Sequence, residues 1–249
     1  LYHHQLEQRI THLNAVLHAI RSVNQLITQE KDRPKLLQRA CDLLIDTRGY
    51  HAAWIALQDD SSGLTITAQA GFAGDLTVWT ELLRSGKLPD CVHRALGQSE
   101  VVVIRDIAAA CGDCPAAARC QGYSVLCVSL ASGDKVYGVL RVLLPSQFTE
   151  QAEEHTLFKE VADDLAFALH DIELEEERKR AEEELRQQKE LLQTILDHIP
   201  IMIAFLDSDG THKWVNRCWE RTLGWSLEEA QTHNILEELY PNPEYRQYV

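Results

Sequence analysis

Four cysteines near the middle of the sequence have the residue type and the spacing to bind a metal ion. Cys91 is followed, in the segment CGDCPAAARC, by Cys111, Cys114 and Cys120, which gives the spacing C-x19-C-x2-C-x5-C. A C-x-x-C pair places two sulfurs on one side of a tight loop, and four thiolates complete the shell that Zn²⁺ or an iron–sulfur cluster takes. His93, two residues after Cys91, is an alternative fourth ligand in a Cys3His shell.

Two other interpretations of the cysteine segment stay open. A C-x-x-C pair that opens a helix is a redox couple when the helix dipole lowers a thiol pKa, and AAARC has the composition of a short helix. Cysteine is also a small hydrophobic residue that is often simply buried, as we expect for Cys41, Cys127 and Cys218. Which of these side chains lie close together depends on the helices and strands around the segment.

The composition narrows the function classes. The 249-residue chain carries a formal net charge of −14, which repels nucleic acid and anionic membrane surfaces. No apolar run approaches the roughly 18–20 residues that cross a bilayer, and the start of the chain has no signal-peptide core. Seven cysteines is an odd number for a disulfide framework, so we expect reduced thiols in the cytosol. Because the chain opens on Leu1, we expect a fragment of a longer protein.

Apolar and alternating runs in the centre of the chain predict five strands. HAAWIALQ and LTITAQA flank the polar turn DDSSG, and SVLCVSLA and VYGVLRVLL flank SGDK, so each pair is an antiparallel hairpin. VVVIRD is the remaining strand, and the cysteine segment connects it to the second hairpin. Helices are predicted over residues 35–46, 76–85 and 89–96. Strands with helices before, between and after them make an α+β layer fold.

The start of the chain, up to about residue 30, is one predicted helix with the seven-residue repeat of a coiled coil. Its stripe falls at alternating spacings of four and three residues: Leu6, Ile10, Leu13, Leu17, Ile20, Asn24 and Ile27. Asn24 lies at an a position, where a single asparagine fixes register and strand number at a cost in stability. In this interpretation the helix pairs with an identical chain. The alternative is that the stripe packs onto its own domain.

A second helix of about fifty residues is predicted after Thr149. It has two apolar stripes that are out of phase, and the second includes Leu185, Leu192 and Ile195. The break lies in the charged run ELEEERKRAEEE, where glutamates precede Lys179 and Arg180 by the favourable four residues. A solvated helix of this length has no domain to lie on, so we expect it to pair with a copy of itself in a homodimer.

The end of the chain predicts strand, turn and strand in IMIAFLDSDGTHKWVN, followed by short helices in RCWERTLGW and SLEEAQ. Two strands do not make an independently stable sheet. We therefore expect this last unit to be cut before its fold is complete.

Two stretches resemble known sensory domains. The helix LLQRACDLLIDTRGYHAAWIAL, the hairpin LASGDKVYGVLRVLLP and the helix FTEQAEEHTLFKEVADDLAFAL make residues 33–170 similar to a GAF domain, with Gly138 in the most GAF-like strand. LLQTILDHIPIMIAFLDSDGTHKWVNRCWERTLGW resembles the opening of a PAS domain, through Pro200, Asp207, Asp209-Gly210, Asn216 and Leu223-Gly224-Trp225. The resemblance divides the chain into a coiled-coil linker helix (1–32), a GAF-like sensor domain (33–170), a signalling helix (171–199) and the N-terminal part of a PAS domain (200–249).

This order of modules is similar to the sensory region of a bacterial or archaeal two-component histidine kinase. The resemblance implies a non-catalytic, cytoplasmic region that binds a small ligand or a metal in the GAF domain. Dimeric helices would relay this binding to a downstream kinase module, and the full-length parent would then be a transferase. The regulatory region of a diguanylate cyclase or phosphodiesterase is the alternative, and a stand-alone metal or redox protein is a further one. Neither nucleic acid nor a membrane is expected as a partner of this segment.

The resemblance also bears on the ligand. GAF domains hold cyclic nucleotides, haem, bilins or small organic effectors, and the loop that holds the clustered cysteines commonly borders their cavity. The Asn-Lys-X-Phe-Asp-Glu element of cyclic-nucleotide GAF domains is absent, which argues against cGMP and cAMP. His51 and His93 are candidates for a haem or bilin contact, although a lone histidine near a strand end is more often structural. His170-Asp171 superficially resembles a phosphoacceptor box, but the run EEE follows where Arg and Pro are usual, so we interpret it as helix surface.

Overall fold

The computed structural model describes residues 22–23, 25–59, 63–72, 77–110, 122–149, 152–209, 211–232, 238 and 240–246. The chain divides into two compact units, Leu1–Glu175 and Glu176–Val249, and each is described by itself. Within the described residues, no helix is long and apolar enough to cross a membrane.

The first unit is an α+β domain, as the sequence predicts. Its helices are α1 (Arg33–Arg48), α2 (Thr77–Arg84), α3 (Asp90–Leu96), α4 (Ile107–Ala110) and the first part of α5 (Ala152–His198). Its strands are β1 (Ala52–Gln58), β2 (Leu64–Ala70), β3 (Val102–Ile104), β4 (Tyr123–Ser132) and β5 (Lys135–Pro145), and a 3-10 turn spans Ser146–Phe148. Helix α4 and the 3-10 turn have no signal in the sequence, because elements this short show no periodicity.

The five strands form one antiparallel sheet in the order β2-β1-β5-β4-β3. Both predicted hairpins, β1–β2 and β4–β5, are present, and they join along β1 and β5. Strands β1, β4 and β5 are buried over most of their length. Because helices cover both faces of the sheet, these strands are continuously apolar rather than alternating.

Each face of the sheet packs against its own layer of helices. One face carries the larger core, to which α1 and α5 contribute Leu36, Leu37, Leu44, Phe158, Leu165 and Leu169. The other face is covered by α2 and α3, which contribute Trp79, Leu83, Cys91, Val92 and Ala95. The candidate functional site lies in this second core.

Helix α1 extends two residues further at each end than the sequence predicts. The Asp32 carboxylate caps its start by accepting a hydrogen bond from the Lys35 amide, and Pro34 occupies the first turn. Gly49 ends the helix in the left-handed conformation, with a φ of 66°.

Gly138 allows β5 to pass unusually close to β1. A Cβ atom at this position would lie 2.0 Å from the Ala56 carbonyl oxygen and 2.8 Å from the Leu57 Cα atom. Both obstacles are backbone atoms, which cannot rotate away, so only glycine fits without moving a strand. Gly138 thus sets the spacing of the two central strands.

Residues 22–23 and 25–29 are helical and pack onto the core of the first unit. Val23 and Leu26 are buried, and Ile27 of the predicted coiled-coil register is partly buried against the same core. Val23 and Leu26 are not members of the predicted stripe, so their burial does not decide how the stripe packs. The rest of that register lies outside the described residues and stays a prediction: Leu6, Ile10, Leu13, Leu17, Ile20 and Asn24.

The second unit contains the end of α5, the strands β6 (Ala204–Leu206) and β7 (His212–Val215), and the helices α6 (Arg217–Leu223), α7 (Leu227–Thr232) and α8 (Pro243–Arg246). The two strands pair antiparallel, so the predicted strand–turn–strand is present. A small core is formed by Val215, Trp219 and Ala230. On α5, the side chains of Leu185, Leu192 and Ile195 are 52%, 58% and 50% exposed. Their pairing with a second copy stays a prediction.

Candidate functional site

A row of buried side chains crosses the sheet on the face that α2 and α3 cover. Trp54 on β1 is paired in register with Arg141 on β5, and Arg141 is paired with Cys127 on β4. Because side chains alternate along a strand, Arg141 shares its face with Val139 and Leu143 of the second core. Arg141 is only 1% exposed. The row therefore places a cation inside an otherwise apolar core.

The Arg141 guanidinium lies against two indole rings. Its Cζ atom is 5.7 Å from the ring centroid of Trp54 and 5.0 Å from that of Trp79, and the two centroids are 5.9 Å apart. A cation–π contact stabilises a cation by roughly 0.5–1 kcal/mol at an exposed site and by about 2 kcal/mol or more when the cation is desolvated. The rings hold the guanidinium in place, but they do not supply hydrogen-bond acceptors in its plane.

Three buried N–H groups of this row have no hydrogen-bond partner among the described residues. They are Arg141 Nε, Arg141 Nη2 and Trp54 Nε1. Leaving a buried donor unpaired costs about 1–3 kcal/mol, and more when the donor is charged. A guanidinium does not lose its proton in proteins, so burial cannot be relieved by neutralisation. What would complete this arrangement chemically is an anion with hydrogen-bond acceptors.

The buried carboxylate among the described residues, Glu154, pairs with Arg48 and not with Arg141. Glu154 on α5 accepts a hydrogen bond from Arg48 Nη2 at 2.7 Å and another from the Tyr50 hydroxyl. Burial, followed by the Glu154 carboxylate, raises the pKa of Tyr50, so its phenol remains a donor. No carboxylate of the described residues pairs with Arg141.

The cysteines of the predicted metal site are only partly placed by the structure. Cys91 is buried on α3 in the same core as Arg141, whereas His93 on that helix is exposed, so the two side chains leave α3 on different sides. The other three predicted ligands lie outside the described residues: Cys111, Cys114 and Cys120. In the part of the chain that the structure describes, no group of three or more His, Cys, Asp or Glu residues is placed to hold a metal ion. The Zn²⁺, iron–sulfur and redox interpretations stay predictions, which metal analysis of Cys111→Ser and Cys114→Ser variants tests.

The cysteines interpreted as core residues behave as small hydrophobic side chains. Cys41 and Cys127 are both 0% exposed, and Cys218 is half-buried. Burial raises the pKa of Cys41 to about 12, with the nearby Asp42 adding to the shift. A thiol with this pKa is protonated and unreactive near neutral pH.

His170 is engaged by a strand of the same unit. Its Nδ1 atom lies 2.8 Å from the Tyr137 hydroxyl on β5, and that hydroxyl donates to Glu173 at 3.0 Å. The neighbouring Asp171 pairs with Lys31 at 3.0 Å. The first contacts tie α5 to β5, and the Asp171–Lys31 pair ties α5 to the segment before α1.

Arg141 and Trp79 are the functional candidates that the sequence analysis missed. A signal for Arg141 was present, since it is the charged residue in the middle of the apolar run VYGVLRVLL. An arginine at the centre of a strand that is apolar on both faces must be buried with its charge. Trp79 gave no comparable signal, because its contact depends on how α2 docks onto the sheet.

A family model for the GAF domain matches residues 30–170, which is more than half of the chain. The chain belongs to the GAF domain family. A family model for the PAS domain matches residues 190–248, so the GAF domain is followed by a PAS domain. These two domains make the chain a sensory or regulatory region of signal transduction, and Arg141 lies inside its GAF domain.

Solved GAF domains share this fold at low sequence identity. The GAF domain of A. aeolicus nlh2, described as in an inactive state, is 13% identical with a TM-score of 0.50, over 65% of this chain and 97% of that one. The GAF domain of an Acinetobacter phosphoenolpyruvate-protein phosphotransferase is 16% identical with a TM-score of 0.50, over 64% of this chain and 94% of that one. A GAF domain/HD domain protein from Geobacter sulfurreducens is 12% identical, with a TM-score of 0.50 and coverages of 61% and 98%. Identities this low show the fold alone. No curated protein matches the sequence.

Among the described residues of the PAS domain, the Asn216 side chain makes four hydrogen bonds. Its Nδ2 atom donates to the carbonyl oxygens of Leu196 and Ile201, at 2.9 and 2.8 Å. Its Oδ1 atom accepts from the amides of Ile203 and Trp219, both at 3.0 Å. The amide thus uses its full hydrogen-bonding capacity, caps α6, and connects the end of α5 to the segment that enters β6.

Proposed function

We propose that this chain is the sensory and signal-transmission region of a cytoplasmic two-component histidine kinase. A small ligand binds in the GAF core that holds Arg141, and α5 relays the event within a homodimer. The observation that carries the proposal is the change of character along α5. Up to Ile172 one apolar stripe of the helix is buried in the GAF core, although Phe167 on another side is exposed. Beyond that point the large apolar side chains are mostly exposed. A helix that packs on a sensor domain and also presents an apolar seam can couple the two.

The exposed seam has the spacing of a coiled coil. Leu185 and Leu192 are seven residues apart, and Ile195 follows after three, as a and d positions require. Arg186 pairs with Glu183 and Glu190 along the same stretch, so these charges are satisfied within the helix. An apolar stripe flanked by satisfied charges favours a second copy of the helix as its partner.

Light scattering on the purified chain tests the homodimer. The expected mass is twice the 28.3 kDa of one chain. The double variant Leu192→Glu/Ile195→Glu is expected to be monomeric, because four carboxylates would face one another in the seam. Thr194→Glu, on the opposite side of the helix, is the control and should leave the dimer intact. A wild-type monomer at micromolar concentration would rule out the proposed relay.

Incubation of the full-length parent with ATP and GTP tests the histidine kinase. A kinase transfers the γ-phosphoryl group to a histidine, and the resulting N–P bond is lost in acid but survives in base. Formation of a cyclic dinucleotide from GTP, or hydrolysis of one, would instead assign this region to a cyclase or a phosphodiesterase. A parent with none of these activities would refute the proposal.

A further inference from the structure

The unpaired donors of Arg141 lie on one edge of its guanidinium. Nε and Nη2 are adjacent nitrogens whose N–H bonds point in parallel, and both lack a partner among the described residues. Two parallel N–H groups match the two oxygens of a planar oxyanion, which is the bidentate geometry of arginine–carboxylate pairs. We propose that the Nε–Nη2 edge of Arg141 recognises a small organic monocarboxylate whose apolar body packs against the indole rings of Trp54 and Trp79. This inference rests on the proposed function, because it names the ligand class of the same site.

The charge inside this core indicates an anion with a single negative charge. Two charged residues are buried as whole residues among those described, Arg141 and Glu154, and Glu154 lies on α5 at the other face of the sheet. One guanidinium neutralises one negative charge, and burying a second charge without a partner is costly. A monocarboxylate therefore fits better than a phosphate dianion or a dicarboxylate.

The surroundings of the guanidinium indicate an apolar ligand body. Trp54 and Trp79 lie at its side, and Val139 and Leu143 extend the same face of the sheet. Trp54 Nε1 is one further donor, which suits a ligand with a carbonyl or hydroxyl oxygen beside its carboxylate. Because these donors are closed to solvent, the domain must open locally before an anion reaches them. We expect slow binding that is accompanied by a change in tryptophan fluorescence.

A ligand-binding arginine and a structural arginine behave differently when they are removed. A buried charge without an anionic partner is a burden on the empty domain, so Arg141→Met should unfold at the same temperature as the wild type or at a higher one. A structural arginine would instead lower the melting temperature when replaced. This readout separates the two roles before any ligand is added.

The binding experiment measures the melting temperature of the purified chain with sodium salts of acetate, isovalerate, benzoate and phenylacetate. At about 20 mM each, a site of sub-millimolar Kd is saturated and the folded state gains stability. We expect isovalerate, benzoate or phenylacetate to raise the melting temperature more than acetate does. The neutral amides isovaleramide and benzamide, sodium chloride and inorganic phosphate should have no comparable effect. Arg141→Met should lose the response, and Arg141→Lys should bind about 10- to 100-fold more weakly because lysine lacks the bidentate edge.

Arg84→Met is the matched control, because Arg84 is an exposed arginine on α2. It should keep the full response. The proposal is overturned if no carboxylate raises the melting temperature, if phosphate or chloride acts as strongly, or if the response survives in Arg141→Met. Should Arg141→Met fail to fold, the arginine is structural, and an unchanged response in Arg141→Lys would reject the bidentate contact.

The kinase assay keeps this inference separate from the proposed function. If carboxylates bind without any effect on the activity of the full-length parent, the ligand class is supported and the proposed relay is refuted. A dimeric, active kinase that ignores every carboxylate would leave the relay standing and remove the ligand class.

Discussion

Replacing Glu154 with glutamine should remove a large part of the stability of the GAF domain. The Glu154 carboxylate pairs with Arg48 Nη2 at 2.7 Å, and the two side chains are only 3% and 4% exposed. Glutamine keeps the size of the side chain and one acceptor for the Tyr50 hydroxyl, but it removes the negative charge. The Arg48 guanidinium is then buried without a counter-ion. Breaking a buried ion pair from one side costs about 3–5 kcal/mol.

The expected fall in melting temperature follows from this loss of stability and from the size of the domain. An unfolding entropy of about 2.1 cal/mol/K per residue, summed over the matched GAF segment 30–170, gives roughly 0.3 kcal/mol/K. A loss of 3–5 kcal/mol therefore lowers the melting temperature by about 10–17 °C. Circular dichroism during thermal unfolding measures the shift, and urea unfolding at 25 °C gives the free energy independently.

Two further variants show whether the charge is the cause. Glu160→Gln changes an exposed glutamate on the same helix, and it should alter stability by no more than about 0.5 kcal/mol. The double variant Arg48→Met/Glu154→Leu removes both charges and should recover most of the loss, because apolar side chains replace the pair. A Glu154→Gln protein that melts within about 2 °C of the wild type would refute the reasoning.

Gly138→Ala should lower the free energy of unfolding by more than Gly133→Ala does, because a Cβ at 138 meets the Ala56 carbonyl oxygen at 2.0 Å and a Cβ at 133 meets nothing within 4 Å. Urea denaturation measures both losses, and equal values would contradict the strand-spacing argument. The Cys41 thiol, with its pKa raised to about 12, stays protonated well above the pH at which an ordinary cysteine ionises. A thiol-labelling reagent at mildly alkaline pH should modify Cys41 only after unfolding, and labelling of the native protein at the rate of an exposed thiol would disprove this.

The hairpins and the existence of α1 could be predicted because local chemistry decides them, although α1 extends two residues further at each end than predicted. Polar turns between apolar runs fix β1–β2 and β4–β5, and a capping aspartate, a first-turn proline and a left-handed glycine fix α1. The helix near Ile27 shows where the same reasoning is ambiguous. Spacing by three and four residues is the pattern of a coiled coil and also of a helix on its own domain, so periodicity cannot choose between them.

The candidate site was harder to predict than the fold. The burial of Arg141 follows from its place in an apolar strand, but its contacts depend on strand register and on the docking of α2. Trp54 precedes Arg141 by 87 positions in the chain, and only the pairing of β1 with β5 brings them together. A possible metal site can be recognised from the cysteine spacing, because metal ligands recur at typical sequence intervals. A lone arginine that binds an anion has no such interval.

The Asn216 amide makes the last turn of α5 and the approach to β6 mechanically dependent on each other. Torque applied to the helix displaces the Leu196 carbonyl, and the amide must then either follow it or release it. If the Asn216 amide follows the Leu196 carbonyl, the Ile203 amide and the first turn of α6 must move as well, because the same side chain is hydrogen-bonded to both. Any rotation of the end of α5 must therefore either move these segments together or break hydrogen bonds of a single side chain.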